Sequence, residues 1–243
     1  AVPLEEARLS TFLASDKNST ADSDDTVAQA FLSGRIVDLQ SRMNVLNLVS
    51  AGTVFAPAQR AFARLFEALD LPESELDALI ENLRFAMDTS PDNGSAARAA
   101  LMPQRLDELV WLGLSRQTLD ILRPHITLLP ARAAVNLNTA SATVLYASIP
   151  TLSMAQARQL VTARSTSHFR TLADAARVIG EAATNLNETQ HATSTHFFEV
   201  HGRLRQDDRV VDEVSVLQRD GLEVKTLWRD RGAARPPQPG SLQ

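Results

Sequence analysis

Ser194 to Trp228 reads STHFFEVHGRLRQDDRVVDEVSVLQRDGLEVKTLW, and its apolar residues recur at every second position. Phe198, Val200, Gly202 and Leu204 alternate with polar or charged neighbours, Val210 to Leu217 is rich in valine, and Leu222, Val224, Thr226 and Trp228 alternate again. A repeat of two is the side-chain period of a strand that buries one face. Asp207-Asp208 and Asp220-Gly221 supply turn residues between the runs. The stretch predicts three strands in an antiparallel meander.

Upstream the period changes. From about Ala56 to Glu188 the spacing is helical: Phe62, Leu65, Phe66 and Leu69 fall at i, i+3, i+4 and i+7, and Leu76, Leu79, Ile80 and Leu83 repeat the pattern after Pro72. Further helices are announced by their ends. Ser115 opens a segment that stops at Pro124, Ser153 with Gln156 makes a capping box, and Thr171 with Asp174 opens a helix closed by Gly180. Before this block, Gly34 to Leu48 reads as one strand with an extended continuation, and residues 4–14 read as the end of a helix, with Leu9, Phe12 and Leu13 on one face. Asp16 to Asp25 has the composition of a solvated loop. A lone early strand needs the late meander to complete a sheet. The expected organisation is therefore α+β, with residues 1–55 and 194–230 forming one domain, residues 56–193 inserted as a helical domain, and 231–243 a disordered tail.

Composition bounds the function. At 44% hydrophobic the 243 residues can bury a real core, and no run approaches the roughly 20 apolar residues that cross a bilayer. The absence of cysteine excludes thiolate chemistry and cysteine-based zinc sites. Net charge is −5, and the basic residues are scattered, with Lys17 and Lys225 the only lysines. Bulk nucleic-acid binding needs a basic face that displaces counterions, which this pattern does not provide. No Gly-x-Ser-x-Gly elbow or His-Glu-x-x-His motif occurs, and His196 and His201 do not form a catalytic arrangement, so no catalytic residue is assigned.

Four stretches carry a family resemblance. Ser33 to Leu48 contains Gly34-Arg35-Ile36, Asp38-Leu39, Arg42-Met43-Asn44 and Asn47-Leu48; Leu106-Asp107-Glu108-Leu109 leads on to Pro130; Val135-Asn136-Leu137-Asn138-Thr139-Ala140 follows; and Phe197 to Gly221 contains Gly202-Arg203-Leu204 and Leu217-Gln218-Arg219-Asp220-Gly221. In this order they resemble the K-class minor pseudopilins of type II secretion, with Met43 where the family has Phe. The resemblance implies a pilin-like domain, an N-terminal helix on an antiparallel sheet, with a large all-α insert. It further implies a non-enzymatic assembly protein at the pseudopilus tip that helps initiate assembly and export of proteins across the outer membrane. Its partners would be the I-class and J-class minor pseudopilins and other pseudopilins. It would be a periplasmic domain, held at the inner membrane by an N-terminal helix that precedes Ala1.

Three local features suggest other chemistry. Val135 to Ile179 resembles the helix-hairpin-helix of DNA-uptake proteins, with Arg158, Arg164 and Arg170 in reach of phosphate, but the hairpin is Pro150-Thr151-Leu152-Ser153 and lacks the glycine that admits a phosphate. A nucleic-acid-binding protein is thus the alternative reading. Asn136, Asn138 and Thr139 are expected to cap a helix. Asp88 and Asp92, in Asp-Thr-Ser-Pro-Asp-Asn, are the candidate Ca²⁺ ligands because oxygen donors at short spacing suit that ion; no other cofactor is expected.

Overall fold

The computed structural model describes residues 1–8, 30–88, 100–206 and 209–232. The chain divides into two compact units, one of residues 1–39 with 196–243 and the other of residues 40–195.

The first unit is a five-stranded antiparallel sheet. Its strands, β1 (Val2–Arg8), β2 (Ala30–Asp38), β3 (Phe197–Gln206), β4 (Arg209–Asp220) and β5 (Glu223–Arg231), lie side by side in chain order. The meander expected after Ser194 is present as β3 to β5, and β2 pairs with β3 across the whole insert, Ile36 opposite Val200 and Leu32 opposite Leu204. Register assigns the faces, because directly opposed residues point the same way. Val2, Ile36, Val200 and Ser215 form one row of the first face, and Ala7, Leu32, Leu204 and Val211 another. The opposite face is more polar: Arg203 bridges Asp212 at 2.7 Å, His201 meets Glu199 at 2.6 Å, and the Arg205 guanidinium lies over Phe31 at 4.4 Å from its ring centre.

The helix expected over residues 4–14 is corrected by β1. Leu4 to Arg8 are strand, and the apolar triplet Leu9, Phe12 and Leu13 lies outside the described residues. The outer edge of β2 presents a row of N–H and C=O groups that need partners, and pairing with residues 2–8 satisfies them. Pro3 is tolerated because β1 is itself an edge strand. Register shifts between Leu4 and Ala7, and Glu6, in that irregular stretch, is ion-paired with Arg205.

The second unit is mainly helical. It holds α1 (Ala56–Ala68), α2 (Glu73–Met87), α3 (Arg116–Leu122), α4 (Ala142–Ser148), α5 (Met154–Thr166) and α6 (Leu172–Ile179), with 3₁₀ turns at Leu106–Leu112 and Gly180–Asn185. The helical stripes read from sequence are its core: Phe62, Leu65 and Phe66 of α1 and Leu76, Leu79 and Leu83 of α2 are all buried. The core extends upstream of Ala56, since Met43, Val45, Leu48 and Val49 belong to it, which is why this unit begins at Gln40. Short ladders join segments distant in sequence: Met43–Asn44 runs parallel to Ile126–Thr127, and Val135–Asn136 parallel to His191–Ala192. Gly113 ends the Leu106–Leu112 turn at φ 103°, where a Cβ would meet that of Ala78 on α2 at 2.9 Å. Glycine is required there by both conformation and contact.

The ends of this unit meet. The Thr195 hydroxyl donates to Gln40 Oε1 at 3.1 Å.

Candidate functional site

The asparagines and the glutamine of the family-like motifs satisfy the backbone of irregular segments. Asn44 Nδ2 donates to the Ala131 carbonyl at 2.8 Å and its Oδ1 accepts from Leu129 N–H at 3.0 Å; Asn47 both donates to and accepts from the Ala133 backbone; Gln40 donates to the Ala134 carbonyl at 2.8 Å. Residues 129–134 lack a helix or ladder of their own, so these amides stand in for one. Asn138 does the same further on. It donates to the carbonyls of Phe169 and Thr193 at 2.8 and 2.9 Å and accepts from Phe169 N–H at 2.8 Å. The expected cap is supplied instead by Ser141, which accepts from Val144 N–H at the start of α4, while Asn136 accepts from Asn138 N–H. The amides bind three chain segments together rather than form a ligand site.

The helix-hairpin-helix-like segment is α4, the turn Pro150–Ser153 and α5. Its turn is engaged internally: Leu152 N–H donates to the Ile149 carbonyl and Ser153 N–H to Gln156 Oε1, both at 3.0 Å. Arg64 of α1 reaches across, donating to the Ile149 and Leu152 carbonyls at 3.1 and 2.7 Å while lying over the Tyr146 ring at 4.3 Å. Arg164 donates to the Leu137 carbonyl at 2.6 Å, and burial lowers its pKa. Arg158 and Arg170 remain exposed. Two exposed arginines and a hairpin whose donors are partnered leave little for phosphate.

Asp88 sits at the C-terminal end of α2, and Asp92 lies outside the described residues. Among the described residues no group of three or more His, Asp and Glu side chains is placed to hold a metal ion. A cleft of about 30 Å³ in the helical unit, lined by Asn44, Asn47, Phe55, Arg132 and Gln190 among others, has room for about one water. That is far below the size of a substrate pocket.

The broadest feature is the first face of the sheet. Leu32, Ile36, Val200 and Leu204 are half-buried there, while Val2, Leu4, Val211 and Val224 are exposed at 65, 43, 50 and 57%. At its centre Gly34 and Gly202 stand opposite each other, and a Cβ placed on Gly202 would meet nothing within 4 Å. Such an apolar face is a surface for packing rather than for chemistry.

Two family models of the type II secretion system protein K match the chain, one over residues 41–131 and the other over 135–194, together more than half of it. The chain belongs to the type II secretion system protein K family. A relative from Pseudomonas aeruginosa, the type II secretion system protein K of strain PAO1, is 29% identical over 224 residues, covering 85% of this chain and 67% of the relative. In fold the chain is similar to a solved chain of the GspK-GspI-GspJ complex from enterotoxigenic Escherichia coli, with a TM-score of 0.63 and 16% identity over 85% of this chain and 81% of that one. The protein K family consists of minor pseudopilins, structural parts of a secretion machine and not enzymes. No helix among the described residues is long and apolar enough to cross a membrane.

Sequence reasoning missed two members of this arrangement. Neither Arg64 nor His191 belongs to any motif in the sequence. Their partners lie 85 and 43 residues away, beyond any local signal.

Proposed function

We propose that this chain is the periplasmic part of a minor pseudopilin that works at the pseudopilus tip together with the I-class and J-class minor pseudopilins. It helps initiate the fibre that drives export of proteins across the outer membrane, and it is anchored at the inner membrane by the N-terminal helix that the family resemblance implies. The observation that carries this reading is the likeness in fold to a chain solved in a complex with GspI and GspJ. The apolar face bearing Leu32, Ile36, Val200 and Leu204 supports it, as the surface on which a pilin-like helix packs. The helical unit inserted between β2 and β3 gives this subunit bulk that would oppose the stacking of another subunit, a steric basis for ending a fibre.

The test is size-exclusion chromatography with light scattering on this chain mixed with the soluble I-class and J-class domains of the same organism. An equimolar ternary complex is expected. Failure to associate at tens of micromolar would overturn the assembly reading and leave family membership untouched.

A further inference from the structure

His191 is 1% exposed, and both of its ring nitrogens face backbone groups of fixed polarity. Nε2 lies 3.2 Å from the Ser148 carbonyl at the end of α4, and Nδ1 lies 3.4 Å from the Asn187 N–H. A carbonyl only accepts and an N–H only donates, so Nε2 carries the proton and Nδ1 offers its lone pair. One tautomer of the neutral ring fits. A second proton at Nδ1 would displace the donation from Asn187 N–H and put the ring's charge inside the core, away from water.

The surroundings offer that charge backbone dipoles but, among the described residues, no charged partner. α4 has no charged side chain, and neither does Val135–Asn136, the ladder partner of His191–Ala192. The turn Asn187–Gln190 carries Glu188 and the 3₁₀ turn Gly180–Asn185 carries Glu181, both exposed. Arg64, on α1, is held by the Ile149 and Leu152 carbonyls. Burial lowers the pKa of the ring, against the hydrogen bonds to Ser148 and Asn187, and no charged group contributes to the shift.

His191 also sits at a mechanical junction. Val135 N–H donates to the Gln190 carbonyl and Leu137 N–H to the Ala192 carbonyl, both at 2.8 Å, and this is what pairs the two segments. Just beyond come Thr193, held by Asn138, and Thr195, held to Gln40, where the chain leaves the helical unit.

We propose that His191 is an acid-sensitive latch: a proton taken from solvent at Nδ1 unseats the imidazole from Ser148 and Asn187, releases the ladder between Val135–Asn136 and His191–Ala192, and loosens the segment by which the chain leaves its helical unit. Between the ordinary histidine value and the lowered value of the closed form, the open state binds one more proton. The opening constant therefore rises by up to about tenfold for each pH unit lowered in that window.

Amide hydrogen exchange on the full chain between about pH 7.5 and about pH 5, corrected for intrinsic rates, tests it. Val135 and Leu137 are expected to lose protection on acidification while α1 and α2 keep theirs, and His191→Gln, which retains a donor for Ser148 but takes up no proton, is expected to abolish that dependence. Unchanged acid opening in His191→Gln overturns the proposal. So does acid opening confined to Met43, whose N–H donates to the His125 carbonyl, because the responsible ring would then be His125. Should the variant not fold, nitrogen-15 spectra of the wild-type imidazole serve instead: the neutral Nε2–H tautomer is expected to persist below the ordinary value of about 6.5, and titration at that value with the ladder intact overturns the latch.

Discussion

Gly34 and Gly202 are partners across β2 and β3, yet the physics at the two positions differs. A Cβ on Gly34 would stand 2.1 Å from the His201 carbonyl oxygen, whereas Gly202 faces open space. Gly34→Ala is expected to lose about 1–3 kcal/mol by forcing the strands apart, and Gly202→Ala to change stability by less than about 0.5 kcal/mol, measured by urea unfolding. Equal losses would show that the close approach is not what selects glycine. Asn138 gives a second contrast: Asn138→Ala removes three hydrogen bonds and strands the backbone groups of Phe169, for an expected loss of about 1–3 kcal/mol. His125 adds a pH dependence of its own. Its Nδ1 is buried without a hydrogen-bond partner, and burial, followed by the charge of Arg42, lowers its pKa. The unfolded chain then binds more protons than the folded one between the ordinary value and the lowered one, so stability falls as pH falls through that window. Thermal melts of wild type and His125→Asn are expected to diverge in their pH slopes there, the variant being the flatter.

Arg64 shows what a single contact contributes between elements, since it ties α1 to the turn between α4 and α5 through two carbonyls and a ring. Arg64→Met keeps the apolar stem and loses those bonds; a drop of about 1.5–3 kcal/mol is expected in chemical denaturation, and no change would mean that water replaces the guanidinium without penalty. The helix starts were legible in the sequence because capping is local. Ser115 accepts from Thr118 N–H, and the boxes Ser153/Gln156 and Thr171/Asp174 close within three residues. β3 to β5 were legible for a similar reason, as alternation and the turn signal at Asp220-Gly221 declare a hairpin without reference to the rest of the chain, although Asp220 pairs with Glu223 and the turn itself is Gly221-Leu222. Leu4 to Arg8 were not, because their own pattern is compatible with a helix and only the bare edge of β2, residues 30–38, makes them a strand. The amide ties of Asn44 and Asn138 were hidden in the same way, with Oδ1 and Nδ2 partners 31 to 87 residues distant.

At the level of the whole molecule two changes of hydrophobic period mark the passage from strand to helices and back, but nothing in the sequence marks where the inner unit begins. That start falls at Gln40, where the buried Met43 and Val45 have no helical repeat to announce them. The hydrogen bond between Thr195 and Gln40 marks the place where the inner unit can be removed. A chain in which residues 41–194 are replaced by a short Gly-Ser linker is expected to retain the β2–β3 pairing, read from strand signatures in circular dichroism and cross-strand contacts in NMR spectra; loss of the sheet would mean that the outer unit depends on the inner one for more than closure. The same hydrogen bond bears on the order of folding events. An unfolded insert separates β2 from β3 by a very long loop, while a folded one, with its ends in contact, presents them as if joined by a handful of residues. By the logarithmic scaling of closure entropy that difference is about 3 kcal/mol, enough to make early collapse of the inner unit the fast route and late zippering of the sheet its sequel.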